Sequence, residues 1–485
     1  MKKLFHTLIT ILLVSFNSEA QAVDLSLPVC FRDNMVLQRN KNVAIWGESN
    51  DGNEITVQFN GQMKTTTVTA GKWKLYLDPM PANEEEKSLI VETYNGENLI
   101  KSVTINGILV GDVYLASGQS NMFSHLKHYL DEGEEIINNP LIRFYDLPPL
   151  KEYGAEFKNG GPESWTKCAD ENYAQQYSAT AYYFAKNLQP VVDVPIGIIK
   201  CAVGATPVEA WMSEETILSI PGMEPLMDRK YDPDLRDFKE PTILYDQMIT
   251  PLLPYTLSGV IWYQGEGNTQ DRIGGGEDYN KLFPAMITQW RSDFENEALP
   301  FFFVQLAAFG GFDSTSLVRS NQDEWCIVRE AQLNTLELEN TGMAIAIDLG
   351  EQFNIHPRTK KEVGRRLSLL ARKHIYNEDI VESGPIYSEL EIVNDTMIIH
   401  FEHTGTHLML AKGTSELVGF EIASDDGNYV EANAVIVGKT VEVSGVDNPK
   451  YVRYAWKNWP EYDSVFVNLC NSAGLPASPF RVATI

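Results

Sequence analysis

The feature that most constrains the fold of this 485-residue chain is an alternation of short apolar segments with longer ones between Gly111 and about Ile375. The longer segments, such as YSATAYYFAKNL, have helical spacing. Strands that alternate with helices form a parallel sheet covered by helices, so we expect an α/β unit here. Ligands bind such sheets at the carboxyl ends of the strands. The predicted strands are DVYLAS, PIGIIKC, SGVIWYQG, FFFVQLAAF and GMAIAIDL.

The segments on either side of this unit have a different pattern. From Asp24 to about Leu109, β-branched and aromatic runs are separated by Asp-Gly and Asn-Gly pairs, which are typical of hairpin turns. The same alternation returns from about Ser383 to Ile485. We therefore predict an N-terminal β domain over residues 23–109, a central α/β domain over 110–380 and a C-terminal β domain over 381–485.

The first 22 residues have the pattern of a cleavable signal peptide. Lys2 and Lys3 precede the apolar stretch LITILLVSF, and Ala20-Gln21-Ala22 fits a cleavage site. We expect an exported protein, periplasmic or secreted. No later segment has the roughly 20 apolar residues of a membrane helix, so membrane insertion is not expected.

Charge and cysteine content exclude several classes of protein. The chain has 66 acidic and 39 basic side chains, and a net charge of -27 repels nucleic acid. The cysteines lack the C-x-x-C spacing of zinc or redox sites, although one or two disulfides would be possible in an exported protein. They are Cys30, Cys168, Cys201, Cys326 and Cys470.

The stretch GQSNM carries the first candidate for chemistry, Ser120. It follows the predicted strand DVYLAS, and a strand-to-helix turn exposes a serine hydroxyl and offers backbone N–H groups to an oxyanion. A helix N-cap is the alternative, and it is the commoner role of a serine at such a place. Ser120 is a nucleophile only if a base lies beside it.

Two further strand ends carry residues that suit the same chemistry. Gly204 could bring its backbone N–H close to a ligand, or it could be an ordinary turn glycine. In the stretch WYQGEGN, Gln264 could donate an amide hydrogen to an oxyanion, and Glu266 could accept one from an imidazole. A solvated loop is the alternative, although the large aromatic residues beside it suggest a lined cleft.

His356, in the stretch NIHP, is the candidate base, because an imidazole titrates near neutrality. A structural histidine is the alternative. His125 and His128 either line the cleft or lie on a solvated helix face. Strand alternation would scatter a third group of histidines over two faces, so we predict no metal site there. These are His400, His403 and His407.

Taken together, these stretches resemble the SGNH hydrolases and, within them, the sialate O-acetylesterase family of carbohydrate esterases. The resemblance covers nearly the whole chain, and its motifs occur in family order. It implies a flavodoxin-like α/β/α domain with flanking β modules that acts on O-acetyl groups of sugars such as sialic acids. The motifs are DNMVLQR, VAIWGE, VGDVYLASGQSNM, GATPVEAW, WYQGEGN, DYNKLFPAMITQWR, FVQLAAF, REAQL, IHPRTKKEVGRRLSLLA and GLPASPFR.

The resemblance also implies roles for individual residues. Ser120 resembles the family nucleophile and His356 the general base. The backbone amides of Ser120 and Gly204, with the side chain of Gln264, resemble the oxyanion hole. Asn121, Asn268, Trp262 and Arg358 are further candidates for substrate binding.

The acidic partner of the histidine is the position where this chain departs from the family pattern. Many SGNH hydrolases have an aspartate shortly before the histidine, where Phe353 and Asn354 stand here. Related esterases with a QGE motif use its glutamate, which makes Glu266 our candidate. The alternatives are a serine–histidine pair held by a backbone carbonyl near Asn354, or Asp348.

The function implied by the resemblance is a serine esterase that removes O-acetyl groups from sialic acids and needs no metal or organic cofactor. An esterase for acetylated xylan or another polysaccharide is the alternative. A sialate carboxylate would need a cation, for which Arg319, Arg329 and Arg358 are candidates. A non-catalytic carbohydrate-binding protein would have lost at least one of the proposed catalytic residues, and none is lost. The sequence does not indicate an oligomeric state.

Overall fold

The computed structural model of the chain describes residues 23–147, 164–169, 171–230, 237–269, 273–312, 323–425 and 427–484. The predicted signal peptide and Arg319 lie outside these residues. Within the described ranges, no helix is long and apolar enough to cross a membrane.

The described residues form strands in three regions of the chain and helices in the central one. The helices are α1 (Ser120–Phe123), α2 (Glu171–Ala174), α3 (Ala179–Val192), α4 (Glu214–Ser219), α5 (Gly276–Asp293), α6 (Glu324–Asn334) and α7 (Lys360–His374). The strands before α3 are β1 (Val36–Gln38), β2 (Val43–Glu48), β3 (Glu54–Phe59), β4 (Gln62–Thr67), β5 (Lys72–Leu77), β6 (Asn83–Asn95), β7 (Asn98–Gly118), β8 (Asn139–Asp146) and β9 (Thr166–Cys168).

The strands after α3 complete the central sheet and build the C-terminal region. Those of the central sheet are β10 (Ile196–Ala202), β11 (Gly259–Tyr263), β12 (Phe301–Gln305) and β13 (Thr341–Ile345). The C-terminal strands are β14 (Ile386–Val393), β15 (Thr396–Glu402), β16 (Leu408–Leu410), β17 (Phe420–Ala423), β18 (Val430–Glu431), β19 (Asn433–Val437), β20 (Thr440–Ser444), β21 (Tyr451–Tyr454), β22 (Glu461–Tyr462), β23 (Val465–Phe466), β24 (Leu469–Asn471) and β25 (Phe480–Ala483).

The central sheet has the strand order β13-β12-β11-β7-β10-β8-β9. All neighbours in it are parallel except the last pair. After β7 the chain builds the β10 side of the sheet first and then crosses to the β11 side, so the order reverses at β7. Such a reversal opens a crevice at the carboxyl ends of the strands, and this crevice is where a ligand site is expected.

The strand β7 joins the N-terminal region to the central sheet. Its first half pairs antiparallel with β6, and its second half lies between β10 and β11. The second half is buried throughout from Val110 to Gly118, as expected of a strand covered on both faces. The predicted boundary between residues 109 and 110 falls within this continuous strand.

Helices cover both faces of the sheet, which gives the predicted three layers. α3 packs against α7, and α5 packs against α6. Side chains of successive strand residues point to opposite faces, and this alternation separates the two helix pairs. Tyr114 contacts Phe184 of α3, whereas Trp262 packs against Phe283 and Trp290 of α5.

The contact between α3 and α7 is close because α7 has a glycine there. A Cβ on Gly364 would lie 2.6 Å from the Cβ of Tyr183 and 2.7 Å from the backbone nitrogen of Phe184. The rest of the inner face of α7 is apolar, with Val363, Leu367 and Leu370 buried. The tight packing matters for the site, because α7 begins four residues after His356.

The C-terminal region contains two four-stranded sheets, ordered β14-β15-β20-β19 and β18-β17-β21-β25. In the N-terminal region, β2 pairs with β5, and β3 pairs with β4 and β6. All five cysteines are free and buried, so the disulfides that an exported protein would permit are not formed.

Candidate active site

Ser120 lies at the carboxyl end of β7, at the start of the short helix α1. The turn before it depends on Gly118, which has a φ of 129° and lies against β11. A Cβ on Gly118 would lie 2.2 Å from the carbonyl oxygen of Tyr263. Only glycine fits both the conformation and the space, so the chain can turn sharply here and present the serine.

His356 lies beside Ser120, although 236 positions separate them in the chain. Its Nε2 and the serine Oγ are 2.8 Å apart. Burial lowers the pKa of His356, and the positive charge of Lys360 lowers it further. A neutral imidazole in hydrogen-bond contact with a hydroxyl is able to take its proton, which is the arrangement of an activated nucleophile.

The backbone amides of Ser120 and Gly204 are two of the predicted oxyanion donors. A Cβ built on Gly204 would be 3.6 Å from the Cβ of Ser120, so the glycine is a direct neighbour of the serine. Among the described residues, neither N–H donates to a protein acceptor. Both amides are therefore free to bind an oxyanion.

The side chain of Gln264 is not available as the predicted third donor. It is fully buried, and its Nε2 donates to the carbonyl of Thr206 (3.1 Å) and to Oδ1 of Asn268 (2.7 Å). Its Oε1 accepts from the hydroxyl of Tyr279. The carbonyl of Thr206 can only accept, so the amide cannot be turned round. Gln264 therefore holds the turn that carries Gly204, instead of reaching the cleft itself.

Asn268 and Trp262 are also placed differently from the prediction that they bind substrate. Asn268 is fully buried, and its Nδ2 donates to Glu209 and to the carbonyl of Gly274. Trp262 is fully buried in the aromatic packing on α5. Its strand is covered on both faces, so the side chain points into the core and not towards the crevice.

Glu266 does not form the predicted contact with the imidazole. No hydrogen bond or ion pair among the described residues joins a carboxylate to a ring nitrogen of His356. Glu266 instead accepts a hydrogen bond from Nδ2 of Asn121, which also donates to the carbonyl of Ile355 (3.1 Å). Burial raises the pKa of Glu266. Asn121 was predicted to bind substrate, but it is buried. It joins Glu266 to the loop that carries His356, residues 350–359, which we call the histidine loop.

The two remaining alternatives for orienting the histidine were Asp348 and a backbone carbonyl near Asn354. Asp348 forms an ion pair with Arg366 through both carboxylate oxygens (2.6 and 2.7 Å), so it is engaged on α7. Asn354 contacts the backbone of His356 on both sides, since its Oδ1 accepts from the N–H and its Nδ2 donates to the carbonyl. The imidazole is thus oriented through its backbone, by an amide instead of the backbone carbonyl that we considered.

Of the two described arginines proposed to bind a substrate carboxylate, Arg358 is exposed and Arg329 is not. The guanidinium of Arg329 is fully buried and donates to carbonyls of Leu306, Ala307 and the C-terminal region. Arg358 is exposed two residues after His356, and it has no ion pair within the described part of the chain. Its cation is therefore available to a ligand.

Two features of this site could not be recognised from the sequence. Lys360 is fully buried beside the residues that follow His356, and its Nζ donates to the carbonyl of Pro357. Gln119 is buried and accepts from the backbone N–H of Gly267, so it connects the nucleophile turn to the β11 loop. His125, by contrast, is half-buried against Phe123, and its pKa is lowered to about 4 by burial.

The chain is similar in sequence to known carbohydrate esterases. Residues 110–372 match the family model described as carbohydrate esterase, sialic acid-specific acetylesterase. The chain is 29% identical over 488 residues to the human sialate O-acetylesterase, covering 92% of this chain and 90% of the human one. It is 25% identical over 545 residues to the mouse sialate O-acetylesterase, covering 97% of each chain.

A solved structure agrees with the fold over almost the whole chain. It is a carbohydrate acetylesterase from Xanthomonas citri with 34% sequence identity and a TM-score of 0.79, and the match covers 95% of this chain and 100% of that one. The parallel-sheet fold, the hydrogen-bonded serine and histidine, and the match to the esterase family identify the protein as a carboxylic ester hydrolase. The chain belongs to the sialic acid-specific acetylesterase family of carbohydrate esterases.

Proposed function

We propose that this protein removes O-acetyl groups from sialic acids through an acetyl-enzyme intermediate on Ser120. The observation that carries the proposal is the 2.8 Å hydrogen bond between the Ser120 hydroxyl and His356. The curated relatives are named sialate O-acetylesterases, and they match more than nine-tenths of this chain. The acetyl group on Ser120 would then lie in the crevice at the carboxyl end of β7.

The reaction begins when Nε2 of His356 takes the Ser120 proton and Oγ attacks the acetyl carbonyl carbon. The negative charge that forms on the carbonyl oxygen is stabilised by the backbone amides of Ser120 and Gly204. As the tetrahedral intermediate collapses, the bond to the sugar oxygen breaks, and His356 gives its proton to that oxygen. Water then attacks the acetyl-serine by the same steps and releases acetate.

Among the residues that the structure describes, no carboxylate bonds to the imidazole ring, so we propose a serine–histidine pair. The lowered pKa of His356 keeps the free base populated below neutral pH. Asn354 fixes the backbone on both sides of the ring, and this preserves the orientation needed for the 2.8 Å contact. Orientation of the base is part of what the acid of a triad supplies.

We further propose that Arg358 binds the carboxylate of a sialic acid. It is exposed two residues after the base in the chain, and a guanidinium with no ion pair among the described residues suits planar, bidentate recognition of a carboxylate. The structural relative from Xanthomonas citri is named more broadly as a carbohydrate acetylesterase, which favours acetylated polysaccharide as the second candidate substrate. A neutral polysaccharide would have no use for this cation.

Two assays test these proposals. A chromogenic acetate ester should be cleaved by the purified protein and not by the Ser120→Ala variant. Acetate release is then compared between 9-O-acetylated sialic acid and acetylated xylan. Faster release from the sialic acid supports the proposed substrate, and faster release from xylan supports the alternative. A folded wild-type protein that cleaves neither would contradict the esterase proposal.

Export is a separate proposal, supported by the charged start, apolar stretch and Ala20-Gln21-Ala22 pattern of the first 22 residues. The segment should direct the protein out of the cytoplasm and be cleaved from it during export. Sequencing the amino terminus of the mature protein tests it. A terminus at Val23 supports the proposal, and full-length protein retained in the cytoplasm contradicts it.

A further inference from the structure

We propose that Lys360 is a positioning residue for His356, paired with Glu266 as its buried counter-charge. The inference rests on the proposed function, because it assigns a role in supporting the same base. No carboxylate bonds to the imidazole ring among the described residues. Lys360 and Glu266 instead stabilise the backbone of the loop that carries His356. Among the described residues, neither forms a hydrogen bond with Ser120.

The carbonyl groups on both sides of His356 are each held by a side chain. Nζ of Lys360 donates to the carbonyl of Pro357 (2.6 Å), directly after the histidine. Nδ2 of Asn121 donates to the carbonyl of Ile355 (3.1 Å), directly before it. These two contacts lie on either side of His356 in the chain, so the backbone there cannot move away from Ser120 without disturbing one of them.

Glu266 connects the two contacts. It accepts a hydrogen bond from Asn121, and its charge and that of Lys360 favour each other through space, without a direct ion pair among the described residues. Both residues are almost inaccessible to solvent, with exposed fractions of 8% for Glu266 and 0% for Lys360. Burying one charge alone is strongly unfavourable, and an opposite charge nearby offsets much of that penalty. The charge of Glu266 therefore offsets part of the cost of burying Lys360.

The surroundings of Lys360 are consistent with a cation at this place. Nζ lies 4.9 Å from the ring centroid of Tyr129 and 5.8 Å from that of Tyr263, within the range of cation–π attraction. Three buried polar atoms of the residues around Lys360 have no hydrogen-bond partner within the described part of the chain. They are Oε2 of Glu266, Oδ1 of Asn121 and the hydroxyl of Tyr263.

Electrostatics gives this arrangement a measurable signature. The titratable groups that face Lys360 are Glu266, Glu351, the two tyrosines of the cluster and His356. Burial lowers the pKa of Lys360 to about 7, and the two glutamates oppose that shift. The lysine charge in turn disfavours the imidazolium of His356. Removing this charge should raise the pKa of the histidine, so that less free base is present at mildly acidic pH.

The test compares Lys360→Met with Lys361→Met, which removes an exposed lysine from the next position of the same helix. Activity on 4-nitrophenyl acetate is measured across pH. We expect Lys360→Met to move the acidic limb of kcat to higher pH and to lower the maximal kcat about tenfold to a hundredfold, with KM little changed. Lys361→Met should match wild type. An unmoved acidic limb in a folded Lys360→Met protein overturns the proposal.

A second measurement does not depend on activity or on the folding of Lys360→Met. Glu266→Gln keeps an acceptor for Asn121 but removes the counter-charge. NMR titration of labelled lysine in the full chain should show a lower pKa for Lys360 in this variant than in wild type. An unchanged lysine pKa overturns the pairing. If wild type proves inactive on every acetate ester, the proposed function fails, while this titration still decides whether the buried pair exists.

Discussion

Nε2 of His356 lies 2.8 Å from Oγ of Ser120, and the histidine has no carboxylate on its ring among the described residues. The parallel sheet brings these distant positions together at its carboxyl edge. The buried side chains around them hold backbone groups instead of reaching for substrate. Several variants can separate residues that take part in the reaction from residues that hold the backbone in place.

The pH dependence of the wild-type enzyme follows from the environment of His356. Burial and the charge of Lys360 lower its pKa below the ordinary value of 6.5. The neutral ring is the active form, so kcat/KM should rise with pH through an inflection below 6.5 and then level off. A pH–rate profile on an uncharged acetate ester measures this. An inflection above 6.5 would mean that a carboxylate supports the imidazolium after all.

Gly204→Ala should impair activity without unfolding the protein. The added methyl group meets Ser120 at an ordinary contact distance of 3.6 Å, and the backbone there does not require glycine. The methyl would nevertheless occupy space beside the nucleophile, where the carbonyl of the substrate must enter. We expect roughly a tenfold to hundredfold loss of kcat/KM with an unchanged melting temperature. Full activity would place the oxyanion elsewhere.

Gln264→Leu distinguishes a structural role from a direct catalytic one. The leucine would leave the carbonyl of Thr206, Oδ1 of Asn268 and the hydroxyl of Tyr279 each without one partner. We expect the free energy of unfolding to fall by about 2–4 kcal/mol, because unsatisfied buried polar groups are costly. Denaturant unfolding measures it. A fully stable variant with a large loss of kcat would instead restore Gln264 as an oxyanion donor.

Gly364→Ala tests the packing that carries the histidine loop. Its Cβ would lie 2.6 Å from that of Tyr183, so α7 must move away from α3. Overpacking of this kind destabilises a protein by about 1–3 kcal/mol. Thermal unfolding should show the loss, with kcat reduced as well. Lys361→Ala, on the exposed face of α7, is the control and should have little effect. Wild-type stability of Gly364→Ala would contradict the packing described above.

Arg358→Gln should separate charged from neutral substrates. If the guanidinium binds a sialate carboxylate, KM for 9-O-acetylated sialic acid should rise about tenfold or more, as loss of a charge-assisted contact implies. The rate on 4-nitrophenyl acetate should be unchanged. Arg365→Gln is a matched control, because that arginine is already paired with Glu362. Equal effects on both esters would argue against a role in recognising charge.

Much of the fold could be predicted from the sequence because its signals are local. Buried parallel strands such as GVIWY are short continuous apolar runs, and the helices between them have their own periodicity. The positions of Ser120 and His356 follow from the same reasoning, since the ends of parallel strands meet at one edge. This is why the two residues could be expected near each other before any coordinates.

The direction and partners of polar side chains could not be predicted in the same way. Gln264 and Asn268 follow a strand end just as Ser120 does, yet they bond to each other and to other buried groups inside the turn. Trp262 was expected to line a cleft, but strand alternation directs it towards α5. The contact of Glu266 with Asn121 joins segments 145 positions apart, and no local pattern encodes it.

The central claim is that Ser120 carries the acetyl group during turnover. Acid quenching of the enzyme during reaction with an activated acetate ester, followed by peptide mass spectrometry, tests it most directly. The account predicts one acetyl group on the peptide that contains Ser120, and none in the Ser120→Ala variant. Acetate release at the wild-type rate by Ser120→Ala, or an acetyl group found only on another residue, would contradict it.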